Sequence, residues 1–262
     1  SGRRAVSARL VERFIFNFRV APEALEKRLP VSWLKPQVIR GFGVVSFCIL
    51  KIERLMLWPL PSVFGLETVS CAYRCGVIDI SGAENEPSVY IIGRNTDRWI
   101  IARLAPAILS DPMARIRASI TRKKDHVGIK ARFLQGTQLF SAKVKPAKSP
   151  SILKSEVFDS LDGFVDFIKG GVSSYTPSVR DNYYARVDLY KEDARYEAVD
   201  ATIDFNSLDL CWPEAGLIFD SAVRAGGGGL YRWTYRGELA REVRTESYPL
   251  LNSDTTSGIP SL

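Results

Sequence analysis

Four side chains able to handle a small acid stand close together in the run Glu86-Pro87-Ser88-Val89-Tyr90-Ile91-Ile92-Gly93-Arg94-Asn95-Thr96-Asp97-Arg98-Trp99. Arg94 and Arg98 can hold a ligand carboxylate through charge-assisted hydrogen bonds, Asn95 can orient it, and Asp97 can relay a proton. Tyr90 and Trp99 would serve as apolar or stacking walls. The plainer reading is an ion pair closing the end of a barrel.

Other chemistries find little support. His126 is the single histidine and lies in the charged turn Lys123-Lys124-Asp125-His126, which disfavours a histidine base and Ser/His/Asp catalysis. With one histidine and no CxxC pair, no metal site is expected. Cys71 and Cys75 fall on one strand-like run, about 13 Å apart and beyond disulfide reach. Reduced thiols follow, with Cys48 and Cys71 as small apolar fillers. Gly226-Gly227-Gly228-Gly229 lacks the lysine and strand–helix setting of a phosphate loop and is expected to be a mobile loop. No cofactor is implied.

The net charge of +7 raises the question of nucleic acid. Apart from Arg122-Lys123-Lys124, however, the basic residues are dispersed among acids, the pattern of a solvated surface. Tyr231-Arg232-Trp233-Thr234-Tyr235-Arg236 mixes rings with cations as single-strand binders do, but the alternation is equally that of an ordinary barrel strand. A basic nucleic-acid or surface-interaction protein stays as the disfavoured alternative.

The elements that must position these residues are mostly strands. Period-two alternation is clearest between Arg115 and Lys145, where Ile116, Ala118 and Ile120, then Val127, Ile129, Ala131 and Phe133, then Phe140, Ala142 and Val144 predict a three-stranded antiparallel meander. Its outer face carries Arg115, Arg117, Lys130, Arg132 and Lys143. Further strands are expected over Tyr183–Tyr190, about Arg195–Phe205 and Leu230–Arg244, and short helices over Pro22–Leu29, within Trp99–Leu109 and over Ser160–Gly171, the last with a serine cap. About ten strand candidates against two or three helices predict a mainly β protein, an antiparallel barrel or double sheet.

At 262 residues, 46% of them hydrophobic, the chain can bury a large core. The seam Lys145–Ser151 is too short to be a linker, so residues 1–251 are expected to form a single domain, with 252–262 a flexible tail. No apolar run has the length to span a bilayer, and the first residues lack the apolar segment of a signal peptide, so a cytoplasmic protein with no membrane partner is expected.

Three segments together resemble the acetoacetate decarboxylase-like superfamily and, within it, the DUF2071 or YqjF-like branch: the strand–helix Phe14–Pro30, the strand Val44-Val45-Ser46-Phe47-Cys48-Ile49-Leu50, and Glu86–Trp99 with its Glu-Pro and Gly93-Arg94. The resemblance implies a β-rich fold around a deep, largely apolar interior cavity. In the decarboxylases a buried lysine just beyond the Gly-Arg strand forms an imine with a keto acid. Here the lysine pair would fall near Ile101 and Ala102, and Arg98 and Arg103 cannot replace it. Cys48 stands where the decarboxylases place an acidic residue, while Glu67 is similar in position to the remaining site glutamate.

The resemblance therefore implies a protein that binds a small keto or carboxylic acid without imine chemistry. Arg94, Asn95, Asp97, Arg98, Tyr73, Tyr90 and Trp99 would bind the ligand. The alternative is a lyase, hydratase or isomerase with Glu67 as acid/base and Arg94 as carboxylate anchor. A homo-oligomer is left open.

Overall fold

The computed structural model describes residues 4–60 and 65–240. Strands come first and dominate: β1 (Ala5–Val20), β2 (Leu34–Pro36), β3 (Gly43–Leu57), β4 (Leu66–Asp79) and β5 (Glu86–Thr96). The expected meander follows as β6 (Ala114–Arg122), β7 (Val127–Phe133) and β8 (Gln138–Pro146). The chain then forms β9 (Ser173–Pro177), β10 (Tyr183–Lys191), β11 (Arg195–Asn206), β12 (Ile218–Gly226) and β13 (Leu230–Ala240). Among the described residues four short α-helices decorate them: α1 (Pro22–Glu26), α2 (Trp99–Leu109), α3 (Leu161–Gly170) and α4 (Leu208–Cys211).

All thirteen strands belong to one mixed sheet. Its pairings run in two circuits. One passes from β1 through β3, β4, β5, β6, β7, β8, β11 and β12 back to β1. The other leaves β5 for β9, β10 and β13 before returning to β1, so β1, β3, β4 and β5 are shared. The long β1 makes this feasible: Ala5–Arg9 pairs with β13, Glu12–Arg19 pairs with β12, and β3 lies along the opposite edge.

Shared strands have two inward faces, and their sequences fill them differently. Phe14, Phe16 and Phe18 of β1, Val45, Phe47 and Ile49 of β3, and Cys71, Tyr73 and Cys75 of β4 join Phe140 and the meander in one large core. Phe47 stacks on Phe140 with ring centroids 4.0 Å apart, and Tyr73 donates to the Leu139 carbonyl oxygen at 2.9 Å. On the other face, Ile15, Val44 and Cys48 pack with Phe158 and Phe164 beneath α3, and the rest of that face borders a cavity. The Ser160 hydroxyl caps α3 by accepting from Gly163 N–H at 3.0 Å.

Several expectations are corrected in detail. Helix α1 stops at Glu26 rather than Leu29. The short strands β2 and β9, too brief to show alternation, were not expected. The tetraglycine segment, expected as a mobile loop, is pinned: Arg9 Nε donates to the Gly228 carbonyl oxygen at 2.8 Å, and Leu10 N–H donates to Gly229 O at 2.9 Å. Gly227 and Gly228 take φ of +119° and +73°, which carry the chain from one circuit to the other along β1. The end of the predicted strand Leu230–Arg244 and the predicted tail 252–262 lie outside the described residues. Cys48, Cys71 and Cys75 are free and buried, whereas Cys211 is free and exposed. Among the described residues no helix is long and apolar enough to cross a membrane.

Candidate functional site

The cavity measures about 420 Å³, within the range of small-molecule sites. Strands of the second circuit and α2 bound it. Its walls are apolar: Ile52, Leu55 and Met56 from β3, Leu189 from β10, Trp233 from β13, and Ile101, Leu104 and Ile108 from α2. α2 presents its apolar side to the cavity even though Trp99 and Leu104 remain largely exposed.

Polar groups enter at one side. Arg13 of β1, Cys48 of β3, Arg74 of β4, Arg94 and Asn95 of β5, Ser174 of β9 and Tyr231 of β13 all line it. Register explains the convergence. Ile15 pairs with Cys48 and Ser46 with Arg74, so the odd positions of β1 and the even positions of β3 and β4 share a face. Arg94 reaches that face through an irregularity in the β4–β5 register, where Tyr73 opposes Gly93 but Arg74 opposes Ile91. The extra residue places Tyr90 and Ile92 in the filled core, while Ile91 and Arg94 line the cavity.

The electrostatics are lopsided. Arg13, 2% exposed, donates from Nε to Cys48 Sγ at 3.0 Å. Burial alone would raise the Cys48 pKa; Arg13, Arg74, the Arg13 hydrogen bond and Lys191 overcome it and hold the thiol below its ordinary value. Burial pulls Arg74 down to about 10, which leaves it charged at neutral pH, and its Nε has no partner. Lys191 of β10 lines an adjoining, more polar cavity that shares Val172 and Leu189 with the first. Burial, Arg13 and Arg74 push its ammonium down to about 7, and it donates to the Ile168 carbonyl oxygen at 2.5 Å. Arg13, Arg74 and Lys191 thus face one thiol. No Asp, Glu, His or Lys is among the described residues that line the first cavity.

The residues singled out from sequence divide clearly. Arg94 and Asn95 line the cavity, but Arg94 is tied down: Nη1 donates to Asp111 Oδ2 at 2.8 Å and Nη2 to Ser174 Oγ at 3.2 Å. Burial pushes the Asp111 carboxyl up, with Arg94 opposing it. Glu67 is exposed and absent from the lining, so the acid/base position read from the resemblance does not reach this cavity. Asp97 is structural, accepting from Thr68 Oγ1 at 2.8 Å and Val69 N–H at 3.1 Å. Arg98 Nε donates to the Glu67 carbonyl oxygen, and Trp99 is 63% exposed. Tyr73 and Tyr90 face the filled core because they sit on the opposite strand parity.

Sequence reasoning missed Arg13, Arg74, Lys191 and Tyr231. A signal existed for Arg74, the one charged residue of Val69–Ile78; Arg13 gave none, because Leu10–Val20 also carries Glu12, Asn17 and Arg19. Tyr231 and Trp233 were read as parts of an ordinary strand, and they line the cavity. Arg232 points away, over the Trp58 and Tyr190 rings, so the aromatic–basic stretch does not form one stacking surface.

Similarity to solved structures follows this architecture. An acetoacetate decarboxylase from Legionella pneumophila superposes with a TM-score of 0.64 at 13% identity, over 89% of this chain and 87% of that one. The fold is acetoacetate decarboxylase-like. An acetoacetate decarboxylase-like enzyme from Sphingomonas wittichii RW1 gives 0.59 at 12% identity, covering 91% of this chain and 94% of its own. The enduracididine biosynthesis enzyme MppR, in its complex with pyruvate, gives 0.58 at 13% identity, over 91% and 90%. No family model matches the chain, and no curated protein matches it in sequence. At such identities the likeness concerns the acetoacetate decarboxylase-like fold alone. Within that fold, the segment where the resemblance places the imine lysines is α2 here, and Ile101 contributes an apolar wall.

Proposed function

We propose that the protein binds a small carboxylic acid with an apolar body, a keto acid being one form, in the cavity between α2 and the second strand circuit. This reading includes membership of the YqjF-like branch and treats residues 1–251 as one domain. The observation that carries it is the unpartnered Arg74 guanidinium Nε at the floor of an apolar chamber. A buried guanidinium N–H without a hydrogen-bond partner is costly, and an anionic ligand offsets that cost while its body covers the apolar wall. Arg13 adds positive charge at the same floor and already holds Cys48. The pyruvate complex of MppR supports an acid as the ligand class for this fold.

Arg94 changes role in this account. Because Asp111 occupies it, it orders the wall rather than anchoring the ligand. Arg74 is the anchor.

A thermal-shift panel of carboxylates and their neutral amides tests the proposal. Carboxylates should raise the unfolding temperature and amides should not. At a hundredfold excess over Kd the gain is about 2.7 kcal/mol. Arg74→Gln should lose the response. An equal response to amides, or one unchanged in Arg74→Gln, would reject this assignment.

A further inference from the structure

Cys48 is poorly explained as packing filler. Its Sγ accepts from the buried Arg13 Nε at 3.0 Å, and it opens onto the same chamber as three polar atoms that lack partners. These are Arg74 Nε, the Asn95 Oδ1 oxygen and the Tyr231 hydroxyl; Asn95 is 2% exposed and Tyr231 1% exposed. Buried polar groups are rarely left unsatisfied, and here three line the chamber onto which this sulfur opens. A sulfur serving only as filler would leave them without purpose.

We propose that Cys48 is a nucleophile that attacks an electrophilic carbon of an organic acid whose carboxylate is held by Arg74. This rests on the acid-binding reading above. With an aldehyde or ketone acid, a thiolate lone pair forms the C–S bond and the carbonyl π pair moves onto oxygen. The new alkoxide takes the Tyr231 phenolic proton, and the phenol regains one from solvent, giving a neutral thiohemiacetal or thiohemiketal. Nothing is oxidised or reduced, and the reverse step restores both partners. The cations around Cys48 favour the thiolate that this step needs.

The chain carries its own controls. Cys71 also lines the cavity, but burial and the neighbouring Cys48 push its thiol well above the ordinary value. Cys211 is exposed, although neighbouring groups cover part of its surroundings and raise its thiol. Limiting iodoacetate and iodoacetamide, followed by mass mapping of each cysteine, should show Cys48 alkylated with loss of iodide, at least about tenfold faster by the anionic reagent. Cys211 should show no such preference, and Cys71 should stay unmodified. Arg74→Gln should erase the preference at Cys48. With carbon-13 glyoxylate, a protein-bound tetrahedral carbon should appear in the wild type and vanish in Cys48→Ala.

Equal rates with both reagents, or an unlabelled Cys48 beside a labelled Cys211, would overturn the nucleophile. The thermal shift with carboxylates separates that failure from failure of the binding reading. Survival of the shift without Cys48 labelling in the wild type rejects the nucleophile alone, and its absence in the wild type rejects both.

Discussion

Arg13, Arg74 and Lys191 reach one region from three strands, and Cys48 acts on all three, with the phenols of Tyr196 and Tyr231 also facing Arg13. The arrangement costs stability where Lys191 is charged. Its pKa falls from 10.5 to about 7 on folding, so between these values the unfolded chain holds a proton that the folded chain has released. Stability therefore rises with pH across that window. The penalty is complete below about pH 7 and gone above about 10.5. Lys191→Met should be more stable than wild type at pH 6, by on the order of 2 kcal/mol, with the difference closing toward pH 10. Urea midpoints across pH 6–10 would check this, and a constant difference would show that Lys191 is not held near neutrality.

Between elements, one close approach that positions the site is the seat of α3 on β4. Gly76 lies on the same strand face as Arg74, two residues on, and a Cβ there would stand 2.7 and 2.9 Å from the Phe167 ring atoms Cζ and Cε2. Phe167 belongs to α3 and packs on Phe158, so the ring cannot retreat freely. Gly76→Ala should cost about 1–3 kcal/mol as overpacking, read as a lowered denaturant midpoint, and Phe167→Leu in the same background should recover part of it. A neutral Gly76→Ala would mean that α3 sits less closely than described. The register irregularity at Tyr73/Arg74 has a comparable effect on β5, since it alone puts Arg94 on the cavity side while Tyr90 and Ile92 enter the core.

For the molecule as a whole, the positive charge resides in two unlike places. Arg115, Arg117, Lys130, Arg132 and Lys143 are exposed on the outer face of the meander, as their alternation with apolar residues predicted, whereas Arg13 and Arg74 are inside. Exposed charges are screened by solvent and salt. Lys130→Glu with Arg132→Glu should therefore change stability by less than about 0.5 kcal/mol per residue and leave the carboxylate thermal shift intact. Loss of that shift would place the acid site on the surface. The strand-rich class, the meander with its two faces, the cap of α3 at Ser160 and the unpaired cysteines were legible in the amino-acid order, because each depends on neighbours a few residues away. The tertiary structure alone decided which face is hollow. β1, β3 and β4 are apolar on both sides, and only closure of the two circuits shows that Phe14, Phe47 and Phe140 fill one interior while Arg13, Cys48 and Arg74 border the other. Tyr73 and Arg74 are adjacent in sequence yet face opposite interiors, and Glu67, one strand-length from the chamber floor, never enters it. Period two tells which residues share a side; long-range pairing tells what that side meets.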